Sequence, residues 1–265
     1  MSIGLIAGYG ELPLIAAKNL IKDGHELVII ALYEEVTADL GSLGVTVEKV
    51  SVTQVGKIIK LLKNNNSDRV LFAGKVNKSL LFSDLKFDLT AMKLLATLPN
   101  RKDDTIMDVI CHELNANGIE VMEQSEALYP LYLGKGIYSK KKPSKVQMED
   151  IEFGLEVARE LGRLDIGQTV VVKNKAVMAL EAIEGTDKAV VRGCSLAGKG
   201  AVIVKCAKPS QDKRFDIPTV GVDTLKNIAD NNGKVIAVEA GTTFVVDVDS
   251  CVRYADENKL IFLAV

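Results

Sequence analysis

The chain has 265 residues, 48% of them hydrophobic, with a net charge of −2. That length and apolar content suit two compact domains or one large α/β domain and exclude disorder as the main state. A near-neutral balance leaves no broad basic field, so nucleic acid is not an expected partner, while a local cationic site for a phosphate stays open.

The N-terminus, Met-Ser-Ile-Gly-Leu-Ile-Ala-Gly, has neither a basic leader nor a long apolar run, so no signal peptide or membrane span is expected and the location reads as cytoplasmic. Ile3–Ala7 predicts a strand, Gly8-Tyr9-Gly10 breaks it, Pro13–Ile21 carries helical spacing, and His25–Leu32 is apolar again, which makes a βαβ unit. Helices follow at Thr53–Leu62, Leu89–Leu98 and Thr105–Leu114, with strands at Arg69–Ala73 and Ile119–Met122. This alternation predicts a Rossmann-like parallel sheet covered by helices on both faces, spanning residues 1–132.

Residues 133–147 hold Gly134, Gly136, three consecutive lysines and Pro143, the composition of an exposed linker. Beyond it Met148–Leu161 has helical spacing. Strands are predicted at Thr169–Val172, Ala176–Ala182, Val202–Cys206, Val235–Val238 and Thr243–Val246, and helices at Asp223–Ala229 and Ser250–Ala255. The second domain, residues 148–265, therefore reads as mixed α/β or α+β, less regular than the first. The four cysteines form no Cys-x-x-Cys pair and sit in apolar surroundings, as free buried thiols do.

Chemistry gathers in a few places. Gly8-Tyr9-Gly10-Glu11-Leu12-Pro13 lies between a strand and a helix, where free amides and the helix dipole favour an anion. Pro13 replaces the third glycine of a dinucleotide fingerprint, which weakens an oxidoreductase reading. Lys75 follows a strand at the sheet edge where ligands of open α/β sheets bind, although no Walker motif surrounds it. Asp103 or Asp104 is placed to cap the next helix.

Glu181-Ala-Ile-Glu-Gly-Thr-Asp187 puts three carboxylates, a glycine and a hydroxyl in seven residues. A turn at Gly185 would present Glu184, Thr186 and Asp187 together, and Glu181, if buried in its strand, would need a partner that the 205–221 segment could supply. That segment carries Lys208, Asp212, Lys213, Arg214, Asp216 and Thr219 between Pro209 and Pro218 or beside them, so it must be a loop. Two aspartates four apart, flanked by cations, suit a Mg2+ ion that bridges protein and phosphate. With only His25 and His112 present, a histidine-rich metal centre cannot be assembled, and no Gly-x-Ser-x-Gly elbow exists.

Four stretches together carry a resemblance: Gly8–Pro13, Asp165-Ile166-Gly167-Gln168, Glu181–Asp187, and Lys208-Pro-x-Gln-Asp-x-Arg-x-Asp-x-Pro-Thr-x-Gly221. In order and spacing they resemble the UDP-2,3-diacylglucosamine pyrophosphatases of the lipid A pathway, in the form unrelated to metallophosphoesterases. The resemblance implies a Rossmann-like domain and a family-specific C-terminal domain holding a lipid-linked nucleotide sugar between them. It implies Mg2+-dependent hydrolysis at the α-phosphate to UMP and 2,3-diacylglucosamine 1-phosphate. Asp212, Asp216 and Arg214 are then the catalytic candidates, with Asp212, Asp216 and Asp187 as metal ligands. Gly8, Gly10, Glu11, Leu12, Lys75, Thr186 and Lys208 are the substrate contacts. Which aspartate does the chemistry stays open, as do a homo-oligomer and transient contact with the inner membrane surface. A nucleotide-dependent oxidoreductase and a non-catalytic nucleotide-sugar sensor are the competing readings.

Overall fold

The computed structural model describes residues 2–33, 36, 40–76, 87–98 and 103–265. The chain divides into two compact units, one of residues Met1–Tyr129 with Lys213–Phe215, the other of Pro130–Asp212 with Asp216–Val265.

In the first unit β1 (Ser2–Ala7), β2 (Glu26–Ala31), β3 (Thr46–Lys49), β4 (Ser67–Ala73) and β5 (Glu120–Val121) form a wholly parallel sheet in the order β3-β2-β1-β4-β5. The order reverses between β1 and β4, the topological switch at which open α/β sheets take ligands. Every residue of β1 is buried, as a central strand covered on both faces requires. Helix α1 (Leu12–Lys22) starts with Pro13 in its first turn and buries Ala16, Ala17 and Leu20. Helix α2 (Val55–Asn64) turns Val55, Ile58, Ile59 and Leu62 onto Ile6, Val28, Ile30 and Val70. It comes close because β1 has no side chain at Gly4, where a Cβ would stand 2.1 Å from Leu62 Cδ2. Helices α3 (Leu89–Thr97), α4 (Asp103–Ala116) and the short α5 (Ser125–Leu128) belong to the same unit. Helix α4 begins at Asp103, but the side chains of Asp103 and Asp104, where the sequence places a cap, lie outside the described residues, as do Asn77, Lys78, Arg101 and Lys102.

The second unit is a three-layer sandwich. Strands β6 (Gly136–Ile137), β7 (Thr169–Lys173), β8 (Ala176–Leu180), β9 (Val202–Lys205), β11 (Val235–Val238) and β13 (Ile261–Ala264) form its six-stranded sheet, in the order β6-β13-β11-β9-β7-β8. Strands β9, β11 and β13 run parallel, while β6, β7 and β8 add antiparallel pairings, giving a mixed sheet. A small parallel pair joins β10 (Thr219–Val220) to β12 (Phe244–Val245). Helix α6 (Lys145–Arg163), opened by a Ser144 capping box, covers one face, with Ile151, Ala158 and Leu161 against Val170, Val172, Val202 and Val204. The other face is covered by α7 (Thr186–Ala197), α8 (Val222–Asp230) and α9 (Val248–Glu257), which set Val190, Cys194, Leu225, Ile228 and Cys251 against Val171, Ile203, Ile236 and Phe262. Each buried valine, leucine or isoleucine among them contributes roughly 1.5–3 kcal/mol of transfer free energy.

Three expectations change here. Helix α7 forms where the sequence pattern predicts no element, β13 is a further parallel strand, and Gly136–Ile137 of the expected linker pairs with β13. All four cysteines are buried and free, as the sequence indicated. The β7–β8 hairpin closes through Asn174 and Lys175, both at positive φ (50° and 56°), the backbone pattern of a type I′ turn. Buried Asp150 of α6 accepts hydrogen bonds from both of their N–H groups, at 3.0 and 2.6 Å.

Candidate active site

In the first unit the loops after β1 and β4 meet at the switch point. Gly8 N donates to Ala73 O at 2.8 Å, and Tyr9 and Lys75 exchange backbone hydrogen bonds, each at 2.8 Å. Gly8 and Gly74 allow this approach: a Cβ on Gly8 would stand 2.6 Å from Lys75 O, and one on Gly74 would stand 2.7 Å from the carbonyl carbon of Gly8. Gly8 therefore has a structural reason for being glycine. Gly10, at φ 105° with open space beside it, has only a conformational one. The structure brings the expected Gly8, Gly10, Glu11, Leu12 and Lys75 to one sheet edge, with Lys75 and Glu11 exposed. Glu11 stands at the N-cap of α1 but makes no side-chain cap, so the first-turn N–H groups of α1 gain no capping bond from it. Tyr9, 59% exposed, lies edge-to-face on Tyr33 at 6.5 Å.

The loop between β9 and β10 is held by its own polar side chains. Gln211 N donates to Lys208 O and Lys208 N to Gln211 Oε1, both at 3.0 Å, while Gln211 Nε2 donates to the Asp216 carboxylate. Asp216 N donates to Asp212 O at 3.1 Å, so the two aspartates stand one turn apart. Lys208 Nζ donates to Asp165 Oδ1 at 2.9 Å and lies 3.9 Å from Asp216 Oδ2. The intervening Lys213–Phe215 belong with the first unit: Gln124 N donates to Lys213 O at 2.8 Å, Arg214 Nη2 meets Asp108 Oδ1 at 2.9 Å, and Phe215 packs on the α2 side of the parallel sheet.

The acidic run at 181–187 divides its side chains among three partners instead of presenting them together. The turn does fall at Gly185, at φ 82°, but α7 starts at Thr186 directly after it. Glu184 pairs with Arg192, whose guanidinium holds that carboxyl below the usual range. Asp187 O and Oδ1 accept from Asn227 Nδ2 of α8 at 3.1 and 3.4 Å. Glu181 turns inward, 9% exposed, and its Oε1 accepts from Thr186 Oγ1 at 2.9 Å. Thr186 Oγ1 in turn accepts from Lys205 Nζ at 3.1 Å, so the first residue of the 205–221 segment supplies the partner expected for Glu181, through a hydroxyl.

Asp212 and Asp216 offer carboxylate oxygens, the hard donors that Mg2+ takes, on one turn beside Lys208. Among the described residues no three His, Cys, Asp or Glu side chains gather as a metal site, and Asp187 is engaged by Asn227. Asp212 and Asp216 are the carboxylates of this loop that would hold such an ion, whose remaining ligands would be phosphate oxygens and water. Sequence reasoning missed Asp108, Asp165 and Asn227 as partners, because they lie 106, 43 and 40 positions from the groups they hold. Gln124, which meets Lys213 through its backbone, is equally remote in the chain. Lys205 had a local signal: it ends the apolar run Val-Ile-Val, and strand alternation sets it on the side of Ile203.

The sequence profile of the LpxI N-terminal domain matches residues 2–131, and that of the LpxI C-terminal domain matches residues 134–263. The chain belongs to the LpxI family. The UDP-2,3-diacylglucosamine pyrophosphatase LpxI of Caulobacter vibrioides is 35% identical to it over 274 residues, covering 99% of this chain and 97% of that protein. The LpxI match thus bears out the resemblance carried by the four motifs. No helix among the described residues is long and apolar enough to cross a membrane.

Proposed function

We propose that the chain hydrolyses the pyrophosphate bond of UDP-2,3-diacylglucosamine in lipid A synthesis, releasing UMP and 2,3-diacylglucosamine 1-phosphate with the help of Mg2+. The observation that carries this reading is the LpxI match along both units, to a relative named for that pyrophosphatase activity. The Asp212–Asp216 turn beside Lys208 is compatible with it.

Asp212 and Asp216 would hold the ion, which when bound neutralises phosphate oxygens and lowers the barrier to attack by water. A carboxylate oxygen of this pair that is not spent on the metal would orient that water. Lys208 and Arg214 add positive charge around the loop, Lys208 steadied by Asp165 and Arg214 by Asp108. Gly8, Gly10, Glu11, Leu12 and Lys75 are assigned to the nucleotide, through the first-turn amides of α1 and the Lys75 ammonium. Asp187 is the third assigned metal ligand, and Asn227 would have to release the Oδ1 of Asp187 for that role.

Purified full-length protein with Mg2+ should convert UDP-2,3-diacylglucosamine to UMP, and turnover no higher than a heat-killed control would sink the reading. Running the reaction in 18O-water locates the attack: label in UMP marks the α-phosphorus, and label in the lipid product marks the β-phosphorus.

A further inference from the structure

We infer that Lys205 is a phosphate ligand of this site, and that Glu181 and Thr186 are the positioning residues that fix its ammonium; the roles rest on the pyrophosphatase reading, the phosphate contact on geometry alone. Lys205 and Thr169 stand on the neighbouring strands β9 and β7, and Glu181 directly follows β8. Thr169 is the register partner of Lys205, and Glu181 N donates to Thr169 O at 2.9 Å. Alternation sets them on the side of Ile203, Val171 and Ala179, all of which pack in the core under α7, α8 and α9. Three polar side chains thus stand side by side on an otherwise apolar sheet face.

The hydrogen-bond order is fixed by chemistry. An ammonium only donates, so Thr186 Oγ1 must accept from Lys205, and its single proton must go to Glu181 Oε1. The threonine hydroxyl cannot rotate away without losing one of the two charged partners.

This arrangement is costly for a core. Lys205 is 7% exposed and Glu181 9%, and removing such charges from water costs several kcal/mol per ion before pairing. Glu181 Oε2 and Thr169 Oγ1 are buried with no hydrogen-bond partner, each at roughly 1–3 kcal/mol. Valine and isoleucine fill the neighbouring positions and would fill these at a lower cost.

The location explains the cost. Lys205 ends β9, a strand parallel to β11 and β13, and ligands of such strands lie beyond their carboxyl ends. The loop that leaves Lys205 carries Lys208, Asp212 and Asp216. Thr186 is the first residue of α7, whose Gly185 N-cap provides no side-chain acceptor, so the helix end favours an anion next to the same ammonium. A phosphorylated sugar supplies both complements: phosphoryl oxygens for Lys205 and the α7 amides, and hydroxyl donors for Glu181 Oε2.

The test uses the full chain with Lys205→Met, Glu181→Gln, Thr186→Val and Thr186→Ser, each checked for a wild-type melting curve. Calorimetric titration with UMP and with glucosamine 1-phosphate, in Mg2+, identifies which phosphate the site takes. Lys205→Met should weaken at least one of them by about tenfold, and methionine keeps the buried volume so that the fold is retained. Thr186→Val and Glu181→Gln should lower kcat/KM by about tenfold, mainly in kcat, while Thr186→Ser stays within about twofold of wild type. Unchanged binding of both phosphates by Lys205→Met, or a wild type that binds neither, overturns the phosphate contact. Equal impairment of the serine and valine variants overturns the positioning role. Loss of binding in Lys205→Met from a wild type that turns nothing over would instead remove the hydrolase reading and leave the phosphate contact standing.

Discussion

Arg214 and Asp108 stand 106 positions apart, and their side chains meet at 2.9 Å. The guanidinium also lies 5.5 Å from the ring centre of its neighbour Phe215. Both charged groups keep contact with solvent, so the pair adds little stability, on the order of 0–1 kcal/mol. Its weight falls on where Arg214 points.

Arg214→Ala should therefore lower kcat/KM by at least about tenfold with little change in melting temperature, and Asp108→Ala, which leaves the guanidinium in place, should cost much less. Equal losses in the two variants would show that the ion pair itself matters and that Arg214 does not act on phosphate. Steady-state kinetics on the two single variants and the double variant decide this.

Asp212→Ala and Asp216→Ala should each reduce kcat by about a hundredfold or more, because a carboxylate that holds Mg2+ or orients water has no substitute on that turn. Chelation by EDTA should stop the wild-type reaction and added Mg2+ should restore it. A wild type indifferent to EDTA, or two fully active variants, would discard the assignment.

Asp150→Ala should destabilise the second unit by about 1–3 kcal/mol in urea, because it orphans the N–H groups of Asn174 and Lys175 in a turn where both residues sit at positive φ. Asp150→Asn keeps one acceptor and should lose less. A midpoint unmoved in the alanine variant would mean that the hairpin closes without the helix.

Burial pushes the Cys206 thiol up to about 12 and the Cys194 thiol up to about 11, from an ordinary 9.0. A raised pKa means that the folded state prefers the protonated thiol, so this contribution is complete below about pH 9 and is lost as pH climbs toward 11–12. Urea midpoints should fall over that window, and less steeply in Cys206→Ala, where one thiol no longer titrates. Parallel slopes for wild type and variant would count against the shift. Ellman's reagent at neutral pH should label none of the four cysteines until denaturant is added.

The sequence announced what is periodic and local. Strand β1 is apolar from Ile3 to Ala7 and β7 from Val170 to Val172, and α6 carries a Ser144–Gln147 capping box before its apolar stripe, so these elements were legible without tertiary information. Helix α7 was not. Its sequence, Thr-Asp-Lys-Ala-Val-Val-Arg-Gly-Cys-Ser-Leu-Ala, places two β-branched residues and Gly193 in the helix interior, which lowers intrinsic helix propensity. Packing overrides propensity here: Gly193 rests against Val171, where a Cβ would stand 2.5 Å from the valine Cβ. The candidate site was legible as a set of residue types and not as pairings. Nothing near Asp216 in the chain indicates Lys208 as its neighbour rather than Arg214, and nothing near Glu181 indicates that Glu184 and Asp187 will be drawn off by Arg192 and Asn227.

Lys213, Arg214 and Phe215 pack with residues Met1–Tyr129, although they arise more than eighty positions later, so the chain changes unit at Tyr129/Pro130, at Asp212/Lys213 and again at Phe215/Asp216. A gene segment cut at the first of these points does not encode a finished N-terminal body, because Phe215 would be missing from its apolar core. Recombination that exchanged the front half of this protein for another would have to carry a matching tripeptide in the back half. The two halves are thereby bound to a shared inheritance, and the two aspartates sit at the joints where that bond is enforced.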